Sequence, residues 1–193
     1  MIKVIVFDYA EVVAEGPILR WIKENIKPND KKLLEYREKV HKWDLGEIAV
    51  EEAYEIIGKL TQTPPNLIWE TFYEKSKSNK EVIALIKKLK NNYKIILFSN
   101  FMGGLLRKLL KKHGIEDLFD EIIISSEHKM KKPDPKFFET LVKKAGVKKE
   151  EILFTDDKIN NVEASNKFGI KAFQFITTKQ LIEDLKSEGI KVD

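Results

Sequence analysis

Apolar positions along the chain follow two rhythms, one of strands and one of helices. Ile2 to Phe7 is a β-branched, nearly all-apolar run that ends at Asp8, the pattern of a strand buried on both faces in the middle of a parallel sheet. From about Glu15 to Asn79 apolar residues recur at helical spacing in four segments, with no strand signal between them. The first is Pro17 to Lys27, with Pro at an early helical position, and the second is Asp30 to Asp44, which stops before Gly46. The third runs from Val50 to Leu60, and the fourth follows Pro64-Pro65 and ends near Lys75. After Asn79 strands are predicted at Lys94 to Phe98, Glu121 to Ser125, Ile152 to Thr155 and Lys171 to Phe175. Helices are predicted between and after them, at Gly103 to His113, Pro135 to Ala145, Asn160 to Phe168 and Thr178 to Glu188. Such alternation predicts an α/β fold, a doubly wound parallel sheet, because right-handed crossovers place helices on both faces. The expected organisation is a core of residues 1–14 and 80–193 with an inserted α-helical cap at residues 15–79.

Composition narrows the function classes. The 193 residues are 42% apolar and 34% charged, a globular profile with enough apolar surface for a core. No cysteine is present, which removes disulfides, thiolate metal sites and cysteine nucleophiles. The net charge of +4 comes from 32 Lys and three Arg interspersed with acids, a solvated surface rather than the clustered Arg stripe of a nucleic-acid reader. No apolar stretch approaches the roughly 20 residues that span a bilayer, and the first residues lack a signal-peptide pattern. The expectation is a cytoplasmic protein, monomer or homodimer, with a small-molecule partner and neither nucleic acid nor membrane.

The chemistry gathers at the ends of the strands. Asp8 ends the first, Ser99-Asn100 the second and Thr155-Asp156-Asp157 the fourth, while Lys131-Lys132-Pro133-Asp134-Pro135 follows the third. A parallel sheet brings all four to its carboxyl edge, where such folds bind ligands. Carboxylates of this kind hold Mg²⁺, which keeps waters and bridges to phosphate. A further carboxylate can attack phosphorus, and a hydroxyl and an ammonium can neutralise the transferring group. Phosphoryl transfer is the reaction these residue types serve together.

These stretches resemble the haloacid dehalogenase superfamily, mostly Mg²⁺-dependent phosphatases with a Rossmann-like core. The match lies in Val6-Phe7-Asp8-Tyr9-Ala10-Glu11-Val12-Val13, Leu97-Phe98-Ser99-Asn100, Lys131-Lys132-Pro133-Asp134-Pro135, and the segment from Phe154 through Asp156-Asp157 to Asn160, Asn161 and Ala164. The helical insertion falls where that family carries its cap. The resemblance implies that Asp8 is the nucleophile and that Ser99 and Lys132 hold the phosphate, with Asn100 beside them. It implies a metal site of Asp8, the Ala10 carbonyl, Asp156 and Asp157, braced by Asn160 and Asn161. His41 and Trp43, near the end of the second cap segment, are candidates to close over the leaving group.

Ala10 departs from the family pattern. Phosphatases of the family usually carry a second Asp there, which protonates the leaving oxygen, a contribution of about 10²–10⁴-fold. Its absence implies slow or leaving-group-selective turnover, or a substitute donor such as Glu11. A subset of the family that also lacks this Asp includes sugar 1-phosphate phosphatases, which makes a sugar phosphate the expected substrate. Two alternatives stand beside it. One is an impaired relative that binds a phosphorylated metabolite or a protein partner. The other is a 2-haloacid dehalogenase, although those enzymes carry a Tyr two residues after the nucleophile, whereas Tyr9 follows Asp8 directly.

Overall fold

The computed structural model describes residues 1–16 and 31–192; the expected helix from Pro17 to Lys27 lies outside the described residues. Five parallel strands, β1 (Val4–Phe7), β2 (Lys94–Ser99), β3 (Glu121–Ile124), β4 (Ile152–Asp156) and β5 (Lys171–Gln174), form one sheet in the order β3-β2-β1-β4-β5. The chain winds outward from β1 through β2 to β3 and then crosses to β4 and β5. The strand order therefore reverses beside β1, and a crevice opens at the carboxyl edge of such a reversal. Phe7 is level with Leu97 on one side and Thr155 on the other. One step further along the register sets Asp8 beside Phe98 and Asp156, and Asp8 N donates to Thr155 O at 3.0 Å.

Period-two alternation sorts the strand side chains onto two faces. Val4, Val6, Ile96, Phe98, Ile152 and Phe154 pack with Phe137, Phe138 and Leu141 of α7 (Pro135–Ala145) and Val162 of α8 (Ile159–Phe168). Ile5, Phe7, Ile95, Leu97 and Leu153 pack on the opposite face against α4 (Lys80–Leu89), α5 (Gly103–His113) and α9 (Thr178–Ser187). The prediction of strands and helices above omits α4. Its apolar residues Val82, Leu85, Ile86 and Leu89 keep the helical i, i+3, i+4, i+7 spacing, and Asn79 caps it by accepting from Val82 N at 3.3 Å. Ser125 is a second correction: it opens a short helix, α6 (Ser125–His128), instead of ending β3. β2 pairs with β3 only as far as Ser99 beside Ile124, so Ser125 has no ladder partner. Its hydroxyl instead accepts from Phe101 N at 3.0 Å.

Between β1 and α4 lie α1 (Lys31–Asp44), α2 (Val50–Thr61) and α3 (Pro65–Lys75). The chain leaves and rejoins the sheet domain on two antiparallel segments, with Glu15 N donating to Lys77 O at 2.9 Å and Asn79 N to Val13 O at 2.8 Å. Trp43, Ile48, Ala53, Ile57, Ile68 and Phe72 of this region are buried and continue the apolar core of the α4–α5–α9 face. Gly46 fits closely against α6. Its φ of +68° is left-handed, and a Cβ there would stand 2.5 Å from the Ser126 carbonyl oxygen, so only glycine is accommodated.

Candidate active site

Lys132 organises the carboxyl edge. Its ammonium is buried and lies 2.9 Å from Asp8 Oδ1 and 2.6 Å from Asp156 Oδ2, and it donates to the Phe98 carbonyl at 2.8 Å. The rings of Phe98 and Phe154 flank it, with centroids 5.3 and 5.1 Å away. Burial works against this cation, but the carboxylates of Asp156 and Asp8 more than offset that and hold the amine protonated, above the ordinary lysine range.

The backbone of Lys132 is fixed by Asn100. The Asn100 amide donates to Lys132 O at 2.8 Å, and its carbonyl oxygen accepts from Lys132 N, also at 2.8 Å. Both hydrogen-bonding ends of this side chain are thus spent on positioning the lysine. Asp134 accepts from Lys136 N at 2.9 Å as the N-cap of α7, which closes the lysine turn from the other end.

The neighbouring aspartates of the fourth motif differ in their commitments. Asp156 is fully buried and satisfied, with Oδ1 accepting from Lys158 N at 2.8 Å and Asn161 Nδ2 lying 3.0 Å from each carboxylate oxygen. Asp157 Oδ1 is buried with no hydrogen-bond partner. Burial, then the charges of Asp8 and Asp156, push the Asp157 carboxyl up to about 6. Burial is also the main influence raising Asp8; Lys132 opposes it and Asp156 adds to it, while the nearby Ser99 hydroxyl favours the charged form. Ser99 is itself buried and its Oγ makes no well-formed hydrogen bond, which leaves that hydroxyl available beside Asp8.

Carboxylate oxygens of Asp8, Asp156 and Asp157 all lie within 4.8 Å of one another. Three carboxylates against one ammonium leave an excess of negative charge inside the protein, which adds to burial in making Asp157 hard to ionise. An unpartnered, buried carboxylate oxygen in such a crowd is the donor set a hard divalent cation fits. The cluster could therefore hold a metal ion.

The other sequence-predicted residues fall around this centre. Ala10 is half-buried in the turn that follows β1, where it bridges to Ala14. Glu11 is exposed, with a left-handed φ of +62°, and its Oε1 accepts from Gly16 N at 2.9 Å. Its carboxylate braces that turn. Asn160 is exposed at the start of α8, one residue before Asn161. His41 is exposed on α1, and Trp43 is buried in the apolar core. Asp44, at the end of α1, reaches the edge loops: its Oδ2 lies 3.2 Å from Lys131 Nζ. Nothing in the spacing around Asp44 marks it, because the pairing spans 87 positions of sequence.

Known proteins resemble this chain in sequence and in fold. A sesquiterpene phosphatase of Aspergillus oryzae is 27% identical over 132 residues, 66% of this chain and 67% of that protein. A haloacid dehalogenase family enzyme of Bacteroides thetaiotaomicron, solved with magnesium and inorganic phosphate, superposes with a TM-score of 0.70 at 21% identity, covering 90% of this chain and 94% of that one. The L-2-haloacid dehalogenase of Xanthobacter autotrophicus, with chloropropionic acid covalently bound, gives a TM-score of 0.69 at 19% identity over 99% of this chain and 85% of its own. These two likenesses are of fold. Among the described residues no helix is long and apolar enough to cross a membrane. The family model of haloacid dehalogenase-like hydrolases matches residues 2–169, and the chain belongs to that family.

Proposed function

We propose that the protein hydrolyses phosphate monoesters of small metabolites through an aspartyl-phosphate intermediate on Asp8. The observation that carries this reading is the buried Lys132 ammonium shared between Asp8 at 2.9 Å and Asp156 at 2.6 Å, with the bare Oδ1 of Asp157 beside them. Asp8 attacks phosphorus, the alcohol departs, and water then cleaves the acyl phosphate, which divides one hard step into two. Lys132 and the Ser99 hydroxyl bind and neutralise the oxygens of the transferring group. Asn100 orients Lys132, and Asp156, whose oxygens are both committed within the protein, keeps it charged. Magnesium would be held by Asp8, the Ala10 carbonyl and Asp157, and when bound it would offset the charge of the phosphate. The relatives support this reading, since one is a phosphatase and one was solved with magnesium and phosphate.

Residues 15–79 act in this reading as a cap that closes over the leaving group and excludes water. Sugar phosphates are the first substrate class, because an anomeric oxygen leaves readily and Ala10 supplies no acid. A second class, terpenyl phosphates, is favoured by the relationship to the sesquiterpene phosphatase. A phosphate-release panel of sugar phosphates, terpenyl phosphates and p-nitrophenyl phosphate with Mg²⁺ tests both levels of the proposal. Release that survives Asp8→Asn unchanged sinks the nucleophile. A wild-type protein that releases no phosphate, yet is stabilised by beryllofluoride with Mg²⁺, would instead be a binding protein for phosphorylated ligands.

A further inference from the structure

The phosphatase reading leaves one role empty. An alkoxide leaves phosphorus poorly unless a proton reaches it as the P–O bond breaks, and position 10 carries no acid. Glu11 is exposed and braces the turn after β1, with its Oε1 accepting from Gly16 N. Ser99 is no acid at ordinary pH, and the Lys132 ammonium is engaged by two carboxylates.

Asp44 carries a carboxyl that reaches the motif loops from the inserted helices. It ends α1, so it belongs to the inserted helices, yet it is ion-paired at 3.2 Å to Lys131, the residue before the lysine that touches Asp8. Asp44 also feels the charge of Lys158, the residue after Asp157. Its carboxyl thus ties the inserted helices to the third-motif loop and lies within electrostatic range of the fourth. The seam is tight there: Gly46, two residues on, approaches the Ser126 carbonyl too closely for any side chain. Only 17% of the Asp44 side chain and 20% of the Lys131 side chain is exposed, so this is a sheltered pair and not a solvated surface contact.

Resting on the phosphatase reading, we infer that Asp44 is the acid–base residue of this enzyme, supplied by the inserted helices in place of the acid missing at Ala10. In the first half-reaction Asp8 Oδ bonds to phosphorus, the ester P–O bond breaks, and the Asp44 proton passes to the departing oxygen, releasing an alcohol. In the second, the Asp44 carboxylate takes a proton from water as its oxygen attacks the acyl phosphate. Inorganic phosphate leaves, Asp8 is restored as a carboxylate, and Asp44 is again protonated. Two opposed influences fit the side chain for both directions. Burial raises its pKa so that it can hold a proton, while Lys131, with Lys158 and His41 contributing less, stabilises the anion left after donation.

The test separates proton donation from a merely structural latch by leaving group. kcat/KM is measured, with Mg²⁺, for p-nitrophenyl phosphate, whose phenolate needs no proton, and for an alkyl phosphate such as glycerol 2-phosphate, whose alkoxide does. Asp44→Asn should lower kcat/KM for the alkyl ester by about 10²–10⁴-fold and for the aryl ester by far less. Ala10→Asp added to Asp44→Asn should recover part of the alkyl-ester loss. Lys131→Met, which removes the charge that favours the Asp44 anion, should move the alkaline limb of the alkyl-ester profile to higher pH. Equal losses on both esters, or no loss, overturn the assignment while leaving the phosphatase reading intact. A folded wild-type protein that cleaves neither ester overturns both.

Discussion

The carboxyl edge of the sheet and the inserted helices are held by opposite kinds of force. At the edge, Lys132, Asp8, Asp156, Asn100 and Asn161 are joined by directional contacts of 2.6–3.0 Å in a buried setting. The inserted helices join the sheet domain mainly through apolar side chains such as Trp43, Ile57 and Phe72, with polar links at Asp44–Lys131 and Ser76–His113. At the rim, Lys108 lies over the Trp69 ring at 5.0 Å and Lys112 over the Tyr73 ring at 4.6 Å. Apolar contact is non-directional, and an exposed cation–aromatic contact is worth about 0.5–1 kcal/mol. Away from Gly46 and the Asp44–Lys131 pair, a seam of that kind tolerates sliding that a buried, hydrogen-bonded lysine does not. One region is built to hold charge in place, and the other to cover it.

The contrast breaks most completely at Asp8, the nucleophile of the proposed reaction. Asp8→Asn should reduce phosphate release by a factor on the order of 10⁶, the scale seen when a covalent nucleophile is removed. The same variant should melt at a higher temperature than wild type in the absence of metal. It removes one negative charge from a buried cluster that holds three carboxylates and one ammonium, and active sites commonly give up stability in this way. A variant that is inactive and also less stable would show that Asp8 is held mainly for structure.

Lys132→Met acts in the opposite sense on stability. It leaves Asp8 and Asp156 facing one another without their shared cation, and breaking a buried pair from one side costs about 3–5 kcal/mol. Denaturant unfolding of the metal-free protein measures it. A loss under about 1 kcal/mol would mean that the carboxylates simply take up protons, and the ammonium would then not be the centre of the site.

The edge was legible in the sequence because its residues sit at strand ends, where a parallel topology gathers them regardless of their separation along the chain. Asp8, Ser99, Asn100, Lys132, Asp156, Asp157 and Asn161 all meet there as a result. Their division of labour was not legible. Asp156 and Asp157 are adjacent and chemically identical, and only the packing decides that one is saturated while the other keeps a bare oxygen. Asn100 likewise reads as a substrate ligand until its amide is found on the Lys132 backbone. On the fold, the alternation of strands and helices follows from periodicity, and α4 carries the same signal in the i, i+3, i+4, i+7 spacing of Val82, Leu85, Ile86 and Leu89. Asp44 could not be found by pattern at all, since its partner belongs to a different element.

The seam between the two regions is probed by Gly46→Ala. The substitution forces a left-handed φ on alanine and sets a methyl 2.5 Å from the Ser126 oxygen, so α1 must move off α6. The conformational part alone costs about 1–2 kcal/mol. Activity on large and small phosphate esters should fall together while the buried edge stays intact, which retained protection of the β1 and β4 amides in hydrogen exchange would report. Loss of that protection would mean that the seam and the edge form one cooperative unit.

The smallest effect is expected where α3 rejoins the sheet domain. Ser76 Oγ and His113 Nε2 lie 2.8 Å apart, joining the end of α3 to the end of α5. Burial, and then the charge of Lys112, lower the His113 pKa below its ordinary value. A depressed base binds fewer protons folded than unfolded, so its contribution is complete above the ordinary histidine pKa of about 6.5 and declines as pH falls below it. Asp157, raised to about 6, titrates in the same range with the opposite sign, since a raised acid favours the folded state as pH falls. The readout is therefore the difference between wild type and His113→Gln, both without metal. Their melting temperatures should run parallel above pH 7. Between pH 6.5 and 5 the gap should shift in favour of the variant, because only wild type must keep a histidine neutral there. A gap that stays constant would show that protonated His113 fits the joint as well as the neutral ring does, and the link would then be indifferent to pH.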